Sequence, residues 1–167
     1  MLLPRCSLHR AYASSHSLHA ALVHALRTQL QVPVYGLCDW NPFGLALLLS
    51  YKIGSAAGGA EASRYAVPCM AWLGLRAAQI DRLESESGTT LSSKPFTPID
   101  TRKSRAMLKT NEFMVDPQNA RWRKELETMQ ARERKVDLEA VFELERGFEL
   151  FTSEIVQLDI MMGNAID

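Results

Sequence analysis

The sequence predicts an α/β fold in which a small, mostly parallel sheet is flanked by helices and followed by a helical C-terminal extension. Two apolar segments rich in β-forming residues, 32–38 and 69–75, each precede a stretch with helical character, which is the pattern of consecutive βα units. From residue 100 onward, charged helix-periodic segments are divided by Pro117 and Gly147. With 167 residues, 47% of them hydrophobic, the chain is long enough for one domain with its own core.

The N-terminal half supplies the two βα units. Leucines recur every fourth residue from Leu18 to Leu30 behind Ser17, which predicts an amphipathic helix over 17–30. In segment 32–38 the residues that would face one side of a strand and those that would face the other are both apolar. We therefore expect a strand buried on both faces. Further elements are predicted from the same signals: a buried helix over 43–53, a glycine-rich loop over 54–59, a helical turn over 61–65, a strand over 69–75 and a short helix over 77–83.

The C-terminal half is predicted to be a polar loop followed by helices. Gly88, two prolines and several Ser and Thr residues indicate a connecting loop over 85–98. Helix-periodic segments then predict four helices, over 100–113, 119–134, 136–146 and 148–160. Mixed charges at helical spacing between Arg121 and Lys135 favour a solvated face with ion pairs between successive turns.

The charge balance does not by itself indicate a partner. The chain holds 19 Lys and Arg against 19 Asp and Glu, but residues 1–38 contain three Arg, four His and no acid. We treat residues 1–16 as an atypical N-terminal segment; an organelle transit peptide and an arbitrary truncated start are alternatives. Three widely spaced cysteines favour a reducing compartment over a disulfide framework. The longest apolar run, 42–49, is too short to cross a bilayer, so no membrane role is expected.

The most informative segment is the polar turn Asp39-Trp40-Asn41-Pro42-Phe43-Gly44. On an extended chain, residues two apart point to the same side, so Asp39 and Asn41 are expected to present oxygen atoms on one face. They follow a buried strand, at the edge where α/β sheets bind ligands, and such oxygens suit Mg²⁺. The alternative is that Asp39 caps the next helix and Asn41 makes a turn. Because Trp40 lies between Asp39 and Asn41 in sequence, its side chain is expected to point to the opposite side of the chain and pack against a helix.

Other candidate sites are weaker. His16 and His19 share one helical face, so a transition-metal site is conceivable, but a solvated helix is the more ordinary interpretation. The glycine-rich segment 54–59 lacks the Lys-Ser/Thr ending of a phosphate-binding loop. Lys52, Arg64 and Arg76 flank the polar turn and are candidates to neutralise DNA phosphates, although solvated surface charges would need no such role.

Residues 32–55 and 64–76 resemble the Toprim domain of the topoisomerase VI A subunit. They resemble still more closely its eukaryotic relatives, the transesterases that open meiotic double-strand breaks. The family pattern is a strand ending in D-x-D/N-P-x-G, an apolar helix ending in Y-x-x-G-S, and a strand reading W-L-G. The matching residues here are Asp39, Asn41, Pro42, Gly44, Tyr51, Gly54, Ser55, Trp72, Leu73 and Gly74. The segments N-x-x-W-R-x-E-L from Asn119 and K-x-x-L-E-A from Lys135 extend the resemblance into the tail.

The resemblance implies a partial Toprim domain over 17–167 that binds Mg²⁺ and double-stranded DNA. Asp39 is then a metal ligand, and Asn41, where many relatives have a second Asp, is a neutral or outer-shell oxygen ligand. Ser55 joins Lys52, Arg64 and Arg76 as a DNA-binding candidate. The resemblance also implies a homodimer working with an ATP-hydrolysing B-type subunit in the nucleus, in meiotic recombination. A receiver-like signalling domain is an alternative fold, but its early acidic pair is not evident.

The chain departs from the family pattern in two respects. The nucleophilic tyrosine of the family lies in an upstream winged-helix domain that this sequence does not contain, so no catalytic residue is assigned. The glutamate that ends the family's first Toprim strand is also missing, because no acid precedes Asp39. We therefore expect that the chain alone does not cleave DNA. Two hypotheses remain: the metal- and DNA-binding part of a cleaving enzyme, or an inactive Toprim fragment that acts as an interaction module.

Overall fold

The computed structural model describes residues 15–54 and 64–167. The α-helices are α1 (Ser15–Leu30), α2 (Pro42–Lys52), α3 (Ala77–Ser87), α4 (Pro98–Thr110), α5 (Glu112–Val115), α6 (Ala120–Arg132), α7 (Gly147–Glu149) and α8 (Gln157–Met161). The strands are β1 (Tyr35–Leu37), β2 (Ala71–Gly74), β3 (Lys94–Pro95) and β4 (Arg134–Lys135). Two 3₁₀ helices, Pro117–Asn119 and Leu138–Glu143, and a π-helical segment, Leu150–Val156, complete the assignment.

The two predicted βα units form a small parallel sheet. Strands β1 and β2 pair in parallel, with Tyr35 opposite Ala71 and Gly36 opposite Trp72, and helix α2 makes the crossover between them. Helices α2 and α3 begin within a residue of their predicted starts. The predicted α/β class with a helical C-terminal part is confirmed. Of the predicted loop over 54–59 and the predicted helical turn over 61–65, only Gly54, Arg64 and Tyr65 lie within the described residues, the last two in a turn.

Strand β1 is exposed on one face, which corrects the prediction of a strand buried on both. Gly36 and Cys38 are buried, but Tyr35 and Leu37 are 37% and 44% exposed. The strand is also shorter than predicted, because regular pairing begins only at Tyr35. Strand β2, in contrast, is buried at every position.

Helix α1 does not bury its leucine stripe against the described part of the chain. Leu22, Leu26 and Leu30 are 56%, 48% and 60% exposed. The helix is held through its other side: the ring of His24 is hydrogen-bonded to the carbonyl of Ala66 at 2.9 Å. A histidine with this contact has a structural role, and the chain between α2 and β2 supplies its partner.

The predicted helix over 136–146 is wrong. Val136 instead exchanges backbone hydrogen bonds with Trp40, N to O at 2.8 and 3.2 Å, in an antiparallel bridge. The strands β3 and β4 pair just before it, and only Leu138–Glu143 coils, as a 3₁₀ helix. A long-range backbone contact therefore replaces the local helical propensity of this segment.

The other C-terminal helices are present with altered boundaries. The predicted helix over 100–113 is divided at Asn111, which ends α4 and caps α5 by accepting from the amide of Met114. The predicted loop over 85–98 contains the end of α3 and the short strand β3. The last predicted helix contains the π-helical segment in its middle.

One continuous core joins the sheet to the C-terminal helices. Trp40, Trp72 and Trp122 are all fully buried, and the rings of Trp72 and Trp122 lie 5.2 Å apart, centroid to centroid. Ile166 pairs with Trp72 in an antiparallel bridge, so the last residues cover the outer edge of β2. In the described ranges, no helix is both long enough and apolar enough to cross a membrane.

Candidate functional site

The polar turn is anchored by backbone pairing on one side. Trp40 forms a bridge to Val136, and Asn41 has extended dihedral angles, φ −153° and ψ 164°. The amide of Asn41 also donates to the carbonyl of Asp39 at 2.9 Å, so the chain folds tightly at Trp40 instead of running straight as the sequence analysis assumed. The turn follows strand β1 at its carboxyl end, where α/β sheets place ligands, and leads directly into helix α2.

Asn41 is the N-cap of helix α2. Its Oδ1 accepts hydrogen bonds from the backbone amides of Phe43 at 3.0 Å and Gly44 at 2.8 Å. An amide oxygen has two lone pairs, so both are used by the helix. Asn41, and not Asp39 as the alternative interpretation had it, therefore caps helix α2. Direct metal ligation through Oδ1 would compete with these two bonds.

Asp39 binds a segment that lies 99 residues away in sequence. Its Oδ1 accepts from the backbone amide of Leu138 at 2.8 Å, at the first turn of the 3₁₀ helix. The side chain is half-buried. Within the described ranges no protein donor reaches its Oδ2 within hydrogen-bonding distance. One oxygen of Asp39 is thus structural, and the other has the chemistry of a ligand for a hard cation.

Gly44 is required by the closeness of the turn to its own helix. A Cβ atom at this position would lie 2.4 Å from the carbonyl oxygen of Asp39, well inside van der Waals contact. Glycine therefore permits helix α2 to begin directly against the backbone of Asp39, as the motif predicts. Any larger side chain would displace that backbone.

The residues around Asp39 fit a metal only in part. In the part of the chain that the structure describes, no three His, Cys, Asp or Glu side chains are grouped so that they could hold a metal ion. Burial, together with the charge of Asp39, raises the pKa of the Cys38 thiol, so this neighbour stays protonated and is a poor ligand. Asp39 therefore needs further ligands from water, from nucleic acid or from outside the described residues.

A cleft lies beside the 137–139 segment that Asp39 binds through the amide of Leu138. It has a volume of about 370 Å³ and is lined by residues of mixed charge, among them Lys94, Asp137 and Glu139. Lys94 forms an ion pair with Asp137, and that bond raises the pKa of Lys94, with Glu139 and Asp39 adding to the effect. No sequence signal could have revealed the cleft, because Asp39 and residues 137–139 meet only through tertiary structure.

Trp40 packs as expected between the two polar residues of the turn. It is fully buried, and its indole Nε1 donates to Glu125 Oε2 on helix α6 at 3.1 Å. The same Glu125 oxygen accepts from the backbone amide of Ala77 at the start of α3. Glu125 thus joins the turn to two helices, a role that its place in a mixed-charge helix did not reveal.

Lys52 does not fit the predicted role of a DNA contact. It is only 6% exposed, and its Nζ donates to the carbonyls of Pro68 and Met70 at 2.7 and 2.8 Å. The ammonium also lies 5.7 Å from the ring centroid of Trp122. Burial lowers the pKa of Lys52, while the nearby Asp167 and Cys69 oppose that change. Its charge is used inside the fold rather than presented at the surface.

Arg76 is likewise an interior residue. It is 7% exposed, its NH2 donates to Asp159 Oδ2 at 2.7 Å, and its remaining nitrogens reach the carbonyls of Leu73 and Asn164. Gln79 donates to the same Asp159 oxygen at 2.7 Å. This buried network ties the end of β2 and the start of α3 to α8, so Arg76 does not fit a surface contact with DNA either.

The two other DNA-binding candidates, Arg64 and Ser55, are not buried side chains of the described core. Arg64 is exposed, with its guanidinium 5.9 Å from the ring centroid of Tyr65, and this placement is compatible with a contact to DNA. Ser55 lies outside the described residues. Asp39 and Asn41 therefore both lie in the polar turn but bind different partners, and Lys52 and Arg76 are buried whereas Arg64 is exposed.

Comparison with known proteins agrees with this geometry. Residues 17–155 match the sequence profile of the family described as the Toprim domain of Spo11 and the topoisomerase 6 A subunit. The chain belongs to that family. The match covers the parallel sheet, the polar turn and most of the C-terminal helices, and so confirms the resemblance seen in the motifs.

Members of this Toprim family with similar sequences come from plants and mammals. The chain is 32% identical over 146 residues to the meiotic recombination protein SPO11-2 of Oryza sativa subsp. indica, covering 87% of this chain and 34% of the relative. It is 32% identical over 120 residues to mouse SPO11, and the match covers 72% of this chain and 29% of the mouse protein. It is 30% identical over 141 residues to the A3 subunit of rice DNA topoisomerase 6, and the match covers 84% of this chain and 30% of the rice protein. The chain thus spans about a third of the length of these relatives.

Proposed function

We propose that this chain is the Mg²⁺- and DNA-binding Toprim part of a topoisomerase VI A-like protein that initiates meiotic recombination by double-strand cleavage. The observation that supports this most directly is the D-x-N-P-x-G turn, which follows a parallel strand at its carboxyl end and lies inside a family match of 139 residues (17–155). The named relatives are meiotic recombination proteins or topoisomerase subunits. Because the chain spans a third of their length, the activity of the whole protein is part of the proposal.

Asp39 is the proposed direct ligand for the metal. Its Oδ1 is fixed by the amide of Leu138, which orients the carboxylate and leaves Oδ2 for the cation. Asn41 is proposed as an outer-shell residue, because its oxygen caps α2 and a neutral amide adds no charge to the site. When bound, Mg²⁺ neutralises charge on a DNA phosphate near the site of transesterification.

The proposed partners follow from the same family. Double-stranded DNA is the substrate, the nucleophilic tyrosine is supplied by a winged-helix domain, and the active assembly is a homodimer with a B-type ATPase subunit in the nucleus. Two members of the sequence-predicted set remain proposed DNA contacts: Arg64, which is exposed, and Ser55, which lies outside the described residues. Lys52 and Arg76 stabilise the fold instead.

A second candidate function is an inactive interaction module that keeps the Toprim fold. The observation that favours it is the neutral Asn41, whose oxygen is already used by two backbone amides. Loss of one negative charge next to Asp39 weakens the attraction for a divalent cation. The two candidates differ in one measurable property, the affinity of the turn for Mg²⁺.

Calorimetric titration with Mg²⁺ of the wild-type chain, Asp39→Asn and Asn41→Asp separates these functions. We expect weak binding by the wild type, tighter binding by Asn41→Asp because an Asp restores the second charge and still caps the helix, and none by Asp39→Asn. If neither the wild type nor Asn41→Asp binds up to about 10 mM, far weaker than a useful site, the inactive module is the better description.

A further inference from the structure

Helix α4 presents a stripe of positive charge to solvent. Arg102, Arg105 and Lys109 are exposed, and Lys103 beside them is half-buried. Spacings of three and four residues place the first three side chains on one face of the helix. The only acid in the helix is Asp100, which is 1% exposed and paired with Lys135 inside the fold. The exposed surface of α4 therefore carries positive charge without an acid of its own.

The charges of this stripe are not neutralised by the fold. Eight other basic residues in the described ranges form ion pairs within 4 Å. Within those same ranges, Arg102, Lys103, Arg105 and Lys109 form none. A group of like charges on one helix is self-repulsive, and a polyanionic partner relieves that repulsion.

The stripe adjoins the polar turn. The Nζ of Lys103 lies 5.6 Å from the ring centroid of Phe43, and the amide of Phe43 donates to the capping oxygen of Asn41. Helix α4 also packs directly on α2, the helix that begins at this turn. A ligand that follows the stripe is therefore led toward Asp39 and Asn41.

We infer that α4 is a docking surface for the phosphate backbone of double-stranded DNA, positioned to guide it to the Asp39 turn. The inference rests on the proposed function and adds a surface to it. Arg102 and Lys109 are seven residues apart, or about 10 Å along the helix axis, which corresponds to about three base pairs along one strand. Contacts of this kind position DNA and do not read its sequence.

The test is a salt series of duplex binding with charge-matched variants of the full chain. The variant Arg102→Gln/Arg105→Gln removes two charges from the stripe, and Lys124→Gln/Arg146→Gln removes two exposed charges elsewhere, one on α6 and one in the turn before α7. Arg102→Lys/Arg105→Lys keeps the charge and changes the shape. Binding to a short duplex of about 20 base pairs is measured from about 50 to 200 mM NaCl, with urea unfolding of each variant as the folding control.

We expect the stripe variant to bind at least about tenfold more weakly at 0.1 M salt, with a salt-dependence slope shallower by about 1.8, because two phosphate contacts are lost. The control pair should bind like the wild type, and the lysine pair should retain most of the affinity. Equal weakening by the stripe and control variants would overturn the docking surface while leaving DNA binding intact. If the stripe variant binds the duplex as tightly as the wild type, the docking surface for DNA is also overturned. Helix α4 would then serve another partner, such as an acidic protein segment. No duplex binding by the wild type even at low salt would overturn both this surface and the proposed function.

Discussion

Asn41 stabilises helix α2 through one amide oxygen that accepts two backbone hydrogen bonds. Asn41→Ala should therefore lower the free energy of unfolding by about 1 kcal/mol, whereas Asn41→Asp, an equally good N-cap, should leave it nearly unchanged. Urea unfolding followed by circular dichroism measures both. Equal stability of the alanine and wild-type chains would show that the cap bonds contribute nothing. The aspartate variant then also qualifies for the Mg²⁺ titration, since its fold is intact.

Gly44 leaves no room for a side chain against the turn. Gly44→Ala should cost about 1 to 3 kcal/mol, because its Cβ would meet the carbonyl oxygen of Asp39 at 2.4 Å and the backbone must move. Ser50→Ala in the same helix is the control; its hydroxyl contacts only the carbonyl of Leu47, so a small effect is expected. The comparison uses thermal unfolding. A Gly44→Ala chain as stable as the Ser50→Ala chain would contradict the close approach.

Residue-level burial explains why the roles of Lys52 and Arg76 could not be assigned from sequence. A cation beside a motif is usually solvated, and nothing in the order of residues shows which carbonyls will surround it. Here the partners of Lys52 come from 16 and 18 residues away, and the partner of Arg76, Asp159, from 83. The close approach of Gly44 to Asp39, in contrast, could be predicted, since it joins two residues of one short turn.

At the scale of elements, an ion pair between the half-buried Lys135 and the buried Asp100 joins β4 to the start of α4. Burial tends to raise the pKa of Asp100, but bonds from Lys135 and Thr97 outweigh it, so this pKa is lowered. The stability contributed by this carboxylate is therefore fully present above the ordinary Asp pKa of about 4 and is lost as pH falls through the lower folded-state pKa.

Asp100→Asn should accordingly destabilise the chain at neutral pH by about 3 kcal/mol, because Lys135 is left with an uncompensated charge. Below about pH 4 the difference between variant and wild type should shrink, since Asp100 is protonated first in the unfolded chain and only at lower pH in the folded one. Unfolding by urea at pH 7 and pH 3 gives both values. A difference that is constant with pH would show that the ionised form of Asp100 has no special role.

The network around Asp159 ties α8 to the sheet and provides a second test at this scale. Asp159→Asn should cost about 3 kcal/mol, because Arg76 is buried and would lose its counter-charge. Asp81→Asn breaks an exposed pair with Arg132 and should cost less than about 1 kcal/mol. Both variants are compared by urea unfolding at neutral pH. Similar losses for the two would contradict the difference in burial.

The order of elements was predictable because periodicity and breakers are local signals. Strands β1 and β2, helix α2 and the C-terminal helices other than the one predicted over 136–146 occur near their predicted places. The segment 136–146 was not predictable, since Val136 pairs with Trp40 and the amide of Leu138 binds Asp39, contacts that span almost 100 residues. Local preference for a helix there is overridden by a partner elsewhere in the chain.

At the scale of the whole molecule, the core is closed, whereas the leucine stripe on α1 is open to solvent in the described part of the chain. Leu22→Gln/Leu26→Gln should change the free energy of unfolding by no more than about 0.5 kcal/mol per residue, because both leucines are about half exposed. Leu126→Ala, at a fully buried position, should cost about 2 to 5 kcal/mol. If the glutamine pair is as damaging as Leu126→Ala in urea unfolding, the stripe is covered in solution.

The placement of the three tryptophans gives the molecule a built-in optical reporter. All are shielded from solvent, so unfolding moves every indole into water and shifts the emission to longer wavelength. The proximity of Trp72 and Trp122 should add an exciton contribution to the near-ultraviolet spectrum that disappears when the sheet and α6 separate. Trp40 lies between Asp39 and Asn41 in sequence, so its fluorescence intensity should change when a cation or a nucleic acid reaches the turn, without any attached dye.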